Sequence, residues 1–354
     1  MTGPNTAAGR HADVIMIGAG IHGCSTALHL ARRGLCVIVI EKDYAGRHSS
    51  GVNAGGVRQL ARHVAELPLS IASMEMWERI ASIVDDGSGF EAHGQVLVAE
   101  TAQELAGFAE RVADLTARGF THEELIDAKE LKRLVPAVSD SCPGGIVSRR
   151  DGAADPFRTT QAFRKAAAKA GAQFHQRSRC MGRPDRCRSG RTRADGGNCT
   201  DADDHKSRAG FHKAGRYSAV SQAFIQAVPK RHGDDRRWTL WATDTRDNLS
   251  ILDWAKLQDS ARTVWQLFPV MRRADIVRAW AGIEARMPDD IPVIGPSRTS
   301  EGLFHQFGFS AHGFQLGPAT GATVAELVVS GQTNMPIAAF DIGRFAESRD
   351  RVAP

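Results

Sequence analysis

The chain has 354 residues, of which 42% are hydrophobic and 24% charged, with a net charge of +5. That length allows two packed cores, and the composition is that of an ordinary globular protein, which excludes wholesale disorder. No apolar run approaches the roughly 18 residues of a membrane span, no secretory leader is recognisable, and the six cysteines show no paired pattern, so a soluble cytoplasmic protein is expected.

The first elements are compact. Asp13-Val-Ile-Met-Ile-Gly18 is a β-branched apolar run suited to a buried parallel strand. It runs into Gly18-Ala-Gly20-Ile21-His-Gly23 and then a helical segment from about Cys24 to Arg33, closed by Gly34. A second strand, Cys36–Ile40, ends at Glu41 and Lys42. Each part suits a dinucleotide. Gly18 permits the turn, Gly20 lets the backbone approach a pyrophosphate, and Gly23 lets the helix pack on the sheet. Ile21 opens the helix whose free N–H groups face the phosphates. Glu41 can accept hydrogen bonds from an adenosine ribose, and its charge repels a 2′-phosphate. The loop His48–Arg58 is dense in small residues. It can lie flat on an extended cofactor, with Ser49, Ser50 and Asn53 as hydrogen-bonding groups and Gly55 and Gly56 for close approach.

Further along, Leu67–Val84 has helical apolar spacing and Gly94–Ala99 reads as a strand. Helices follow at Thr101–Gly119, at Asp127–Leu134 before Pro136, and at Arg158–Ala170. From Cys180 to Asp247 the character changes. This segment holds 14 Lys and Arg against 9 Asp and no Glu, a surplus equal to the whole chain's +5. The basic balance therefore belongs to one stretch and is no general sign of nucleic-acid binding. The abrupt change at both borders resembles translation in a shifted reading frame. A disordered insertion, an arginine-rich nucleic-acid tract, and a zinc site from Cys180, Cys187, Cys199 and His205 are the alternatives. Regularity returns near Asn248. Near the end come a proline-rich turn and strand, Met287–Pro296, then a strand at Gly302–Gly308. The loop Phe309-Ser-Ala-His312-Gly313-Phe314-Gln315-Leu-Gly-Pro318 follows, with a helix whose first turn is expected at Pro318.

The fingerprint, the Ser49–Arg58 loop and the C-terminal region resemble the flavin-dependent amine oxidoreductases that include D-amino-acid oxidase, glycine oxidase and sarcosine oxidase. The resemblance covers roughly residues 12–175 and 248–335. It implies an α/β fold, an FAD-binding Rossmann-like domain with an inserted antiparallel-sheet substrate domain. The FAD-binding part would comprise 1–90, 150–215 and 285–345, and the substrate domain 91–149 and 216–284, with 180–247 anomalous. It implies oxidation of the C–N bond of a D-amino acid, N-methyl amino acid or related amine by hydride transfer to flavin N5. Gly308, Gly313, Phe314 and Gln315 would line the flavin. Arg58 is the candidate cation for a substrate carboxylate, and His312 a candidate base. Gln315 stands where monomeric sarcosine oxidases carry a carboxylate-binding lysine, so it joins the catalytic candidates while leaving the substrate open. The linking cysteine of some relatives is absent from Gly282–Pro288, so non-covalent FAD is expected, with no metal. A small amine, and a subunit or electron-accepting partner, are the expected partners. A non-catalytic flavin-binding chain, a subunit of an amine dehydrogenase complex, and a nicotinamide-dependent dehydrogenase remain alternatives.

Overall fold

The computed structural model describes residues 11–176, 243–244, 249–250 and 252–346. Apart from the Thr243–Asp244 pair, the basic segment 180–247, including the cysteines and histidine of the zinc alternative, lies outside the described residues.

The N-terminal half forms as its period-two and helical patterns require. Strand β1 (Val14–Ile17) leads through the glycine turn into helix α1 (Ile21–Ala31), and β2 (Val37–Ile40) returns parallel to β1 in register Val14 to Val37. One helical turn, α2 (Ser49–Val52), and the short strand β3 (Gly56–Val57) follow. The single helix expected over 67–84 is two, α3 (Leu67–Glu78) and α4 (Ile80–Val84). Arg79 breaks the helical dihedrals between them, and Asp85 closes α4 in the left-handed conformation. That break lets Trp77 and Ile80 turn into the same core.

Next come β4 (Gln95–Ala99), α5 (Ala102–Ala117), β5 (Glu124–Asp127), α6 (Ala128–Leu134) and β6 (Gly144–Ser148). Thr101 and Asp127 cap α5 and α6 by accepting from the Glu104 and Glu130 amides, each cap contributing about 1 kcal/mol. β4 and β5 flank β6, both antiparallel to it. Strand β7 (Gly152–Ala153) pairs with β3, and α7 (Pro156–Lys169) starts at a proline behind the Asp155 cap. Strand β8 (Gln173–His175) then adds to β2, giving a parallel sheet in the order β1-β2-β8.

The C-terminal described part begins with the short pair β9 (Thr243–Asp244) and β10 (Leu249–Ser250), then α8 (Trp254–Leu267). Helix α8 and the turn after it lay Val264, Leu267 and Met271 on a small core of Ile126, Leu131, Val138, Val147 and Phe268 beside the β4-β6-β5 sheet. Strands β11 (Val293–Pro296) and β12 (Phe304–Phe307) form an antiparallel hairpin, and α9 (Gly313–Ser330) closes the main core.

The last helix departs from expectation. It starts at Gly313, five residues before Pro318, which lies inside it. An interior proline costs about 3 kcal/mol, which the packing of the extra turn offsets: Phe314, Gln315 and Leu316 are all buried. Helix α9 presses closely on α1 because Gly313, Gly317 and Gly321 recur every fourth residue on the contact face. A Cβ would stand 2.9 Å from His22 Nε2 at Gly313, 2.8 Å from the Ile21 side chain at Gly317 and 2.2 Å from Ser25 Oγ at Gly321. The two helices thereby bring their N-termini together, which positions the site. Among the described residues no helix is long and apolar enough to cross a membrane.

Candidate functional site

The first end of the site is the turn between β1 and α1. Gly18 has φ +97°, a conformation glycine adopts without cost, and its N–H donates to the Ile40 carbonyl at 2.8 Å. A Cβ on Gly23 would lie 2.1 Å from the Gly18 carbonyl oxygen, so only glycine lets α1 close onto the turn. The first amide to bond within the helix is that of Cys24, to the Gly20 carbonyl. The earlier ones stand outside the ladder and form an anion-binding end. Of these, the Ile21 amide donates to Ser50 Oγ at 3.0 Å. The Glu41 carboxylate accepts from the Ala19 amide at 2.7 Å and the Asp43 amide at 2.9 Å, which fixes its negative charge beside the turn. Lys42 points to solvent.

The loop that follows is more compact than the flat ribbon expected. Asn53 spends its side chain on the loop itself, donating to the Ser49 and Ser50 carbonyls at 3.0 and 3.1 Å and accepting from the Gly55 amide at 2.8 Å. Gly55 packs so closely that a Cβ would meet the Ala154 carbonyl at 2.3 Å, and Gly56 pairs with Ala153. From the other side, Ser49 Oγ donates to the Ile283 carbonyl, and Trp280 Nε1 donates to the Val52 carbonyl at 2.9 Å. Residues 280–283 thus lie over the loop.

The second end is the loop before α9. Gly308, Ser310 and Ala311 all have positive φ, +72°, +46° and +69°. For the two non-glycine residues this costs about 1–2 kcal/mol each, strain of the kind that collects at functional loops. The loop is held by the Ser310 amide donating to the Ala285 carbonyl and by Ser310 Oγ accepting from the Met287 amide. Phe309 stacks on His22 with ring centres 3.6 Å apart and planes 6° from parallel. Phe314 packs on Trp77 at 5.2 Å between centroids.

A buried polar cluster lies behind this loop. Gln315 is fully buried, and its carboxamide oxygen accepts from Ser70 Oγ at 3.1 Å and Arg62 Nη2 at 3.3 Å, while Nε2 donates to the Ser70 carbonyl. Its backbone carbonyl accepts from Trp77 Nε1 at 2.8 Å. Gln315 therefore locks α9 onto α3, with both ends of its carboxamide hydrogen-bonded inside the protein. Arg62 is 2% exposed, and its Nη1 has no partner among the described residues. Burial pushes its pKa down to about 10, against the pull of Glu66. Arg58 is likewise lowered by burial, opposed by Asp151 and Glu66; its Nη1 donates to the Leu60 carbonyl at 3.3 Å. Glu66 is buried and accepts from His312 Nδ1 at 3.0 Å. Burial resists its ionisation, but the His312 hydrogen bond and the Arg62 charge outweigh that and hold its carboxyl below the usual range. Burial, with the charges of Arg62 and Arg58, lowers the pKa of His312 against the pull of Glu66, which favours the neutral ring. Asp151 accepts from the Gln59 and Leu60 amides at 2.8 and 2.9 Å, and Glu123 from the Ala61 amide and Arg111, which pin the 58–63 loop to the antiparallel sheet.

The structure thus gathers Gly18, Gly20, Ile21, Gly23, Glu41 and Ser50 at one end, and Arg58, Gly308, His312, Gly313, Phe314 and Gln315 at the other. Sequence reasoning passed over His22, Arg62 and Glu66. Arg62 and Glu66 look like solvated surface charges in a sequence, because burial of such residues comes only from tertiary packing. His22 stood in view as the variable residue before Gly23.

A family model for the FAD dependent oxidoreductases matches residues 13–327. The β-subunit of sarcosine oxidase from Rhodobacter capsulatus is 24% identical over 382 residues, covering 95% of this chain and 89% of that one. Glycine oxidase from Bacillus licheniformis is 22% identical over 363 residues, covering 90% and 93%. Among solved structures, L-proline dehydrogenase from P. horikoshii superposes with a TM-score of 0.71 at 22% identity, covering 95% of this chain and 98% of that one. That likeness shows the fold, α/β with a Rossmann-like dinucleotide-binding part and an antiparallel sheet beside it.

Proposed function

Because the chain belongs to the family of FAD-dependent oxidoreductases and is an enzyme of that kind, we propose that it oxidises the C–N bond of a D-amino acid, N-methyl amino acid or related small amine, with FAD bound non-covalently. The residues fit the cofactor. The glycine turn leaves no room for a Cβ at Gly23, Glu41 stands at the end of β2, and the buried Arg62 Nη1 lacks a partner among the described residues. FAD supplies the hydride acceptor when bound. Gly18–Gly23 and Ser50 would hold the pyrophosphate side, and the N-terminus of α9 would face the flavin and stabilise negative charge there. The stretch Gly282–Pro288 contains no cysteine or histidine to form a covalent link.

The observation that carries the reading is the buried cation Arg62 and the half-buried Arg58, beside His312 hydrogen-bonded to the ionised Glu66 at the start of α9. A guanidinium is suited to pair with a carboxylate, and Arg62 Nη1 has no partner among the described residues. With Nδ1 donating to Glu66, His312 keeps Nε2 as an acceptor for an N–H of the substrate amine. That the relatives include a sarcosine oxidase subunit and a glycine oxidase supports a small carboxylate-bearing amine. The test is the visible spectrum of the purified protein before and after anaerobic addition of pooled amino acids and N-methyl amino acids. A two-banded flavin spectrum that bleaches, with yellow flavin released on denaturation, is the expected result. Bound flavin that no amine bleaches overturns the proposal.

One observation favours a second reading, a flavin-binding chain without turnover. Parallel sheets normally have both faces covered. Here Ile15, Ile17 and Ile40 of the β1-β2-β8 sheet are 61%, 86% and 47% exposed, so the described residues leave that face uncovered. The unbleached outcome of the same spectrum supports that second reading.

A further inference from the structure

We propose that Glu284 is a catalytic residue, the carboxylate that binds the ammonium group of the substrate and takes its proton. The inference rests on the amine-oxidising reading above and deepens it, because it makes the substrate a zwitterionic amino acid. The stretch 280–287 bridges the two ends of the site. On one side the Ile283 carbonyl accepts from Ser49 Oγ, and Trp280 Nε1 donates to the Val52 carbonyl. On the other, the Ala285 carbonyl accepts from the Ser310 amide at 3.1 Å, and the Met287 amide donates to Ser310 Oγ at 3.0 Å. Glu284 stands between these two attachments. Its carboxylate accepts from the backbone amide of Ala311, which is held at φ +69° and precedes His312. That bond sets the carboxylate at the start of α9.

The charges around the site give this carboxylate a task no other group can perform. Arg58 and Arg62 are cations, and Glu66 is buried and bonded to His312. His312 favours its neutral form, so it can accept an N–H but brings no charge to balance an ammonium. On the stretch itself, Arg286 is held at two points by Asp290. An amino acid that pairs its carboxylate with Arg62 then has Glu284 as the anion for its ammonium. Partial burial raises the Glu284 carboxyl above the usual range, against the pull of the Ala311 amide and Arg286, while the residue stays open to solvent. A carboxylate so placed accepts a proton more readily than a free one and can still be reached by a ligand. In the transfer one N–H bond of the ammonium breaks and an O–H bond forms on Glu284. The nitrogen keeps the electron pair, and both partners become neutral.

The test uses the full chain loaded with FAD, and as probe the amino acid from the pooled set that bleaches the wild-type flavin fastest. Glu284→Gln keeps the size of the side chain and an oxygen for the Ala311 amide, and removes the base. Its anaerobic bleaching rate is expected to fall tenfold or more at pH 7. The loss should shrink to less than threefold at about pH 10, where the free amine has shed its own proton and needs no base. FAD affinity, measured by flavin fluorescence quenching, and the melting temperature of the FAD-free chain should stay level. An unchanged rate at pH 7 overturns the proposal. So does a loss equal at all pH values, or one that runs parallel to a loss of FAD affinity, since either marks a structural role. A wild-type chain whose bound flavin no amine bleaches instead refutes the parent reading.

Discussion

Glu66→Gln tests the buried cluster most directly. The Glu66 carboxylate is fully buried, accepts from His312 Nδ1 at 3.0 Å, and balances the charge of Arg62, itself 2% exposed, and of Arg58. The amide keeps the volume and can still accept from His312, so the loss falls mainly on charge compensation. Removing one member of a buried charge cluster costs about 3–5 kcal/mol, and the surviving neutral hydrogen bond places this substitution near the lower figure, about 3 kcal/mol. Urea unfolding followed by tryptophan fluorescence at pH 7.5 should show that deficit as a lower midpoint with an unchanged slope. The pH dependence gives an internal check. The folded pKa of Glu66 lies below its unfolded value, so its stabilisation is present above about pH 4.3 and is lost as pH falls through the folded pKa. The deficit of Glu66→Gln should therefore shrink in acid. A deficit below about 0.5 kcal/mol at pH 7.5, or one that does not change on acidification, would refute the account of the cluster.

Three further outcomes follow from the same geometry. Gly321→Ala places a Cβ 2.2 Å from Ser25 Oγ and 2.7 Å from the Ser25 backbone, so α9 must move off α1; a loss of about 1–3 kcal/mol in urea unfolding and weaker FAD binding are expected. Ala311→Gly relieves a φ of +69° and should stabilise the FAD-free protein by about 1 kcal/mol, less the entropy glycine adds to the unfolded chain; thermal unfolding decides the sign. Burial lowers His22 to about 3 and His29 to about 4, both below the unfolded value near 6.5, so the unfolded state takes up the protons first and stability falls from pH 6.5 downward. Each ring contributes up to about 1.4 kcal/mol per pH unit, and His29→Gln should remove its share of that slope between pH 6.5 and 4.

Much of this protein was determined locally and is therefore legible in its sequence. The order strand, glycine turn, helix, strand, acid needs only neighbours a few residues apart, because Gly18 and Gly23 act on one turn and Glu41 closes on the Ala19 amide. The capped helices α5 and α6 are legible for the same reason: Thr101 and Asp127 bond amides three residues on. Tertiary structure decided what depends on distant partners. Pro318 looked like a helix start, and only the packing of Phe314, Gln315 and Leu316 moved that start to Gly313. Asn53 and Gln315 looked available to a ligand, and their amides are instead committed to the protein's own backbone and side chains. Arg62 and Glu66 carry no local mark of importance. Their burial is created when α1, α3 and α9 converge from opposite ends of the chain, and burial is what turns a common polar side chain into one that must find a partner.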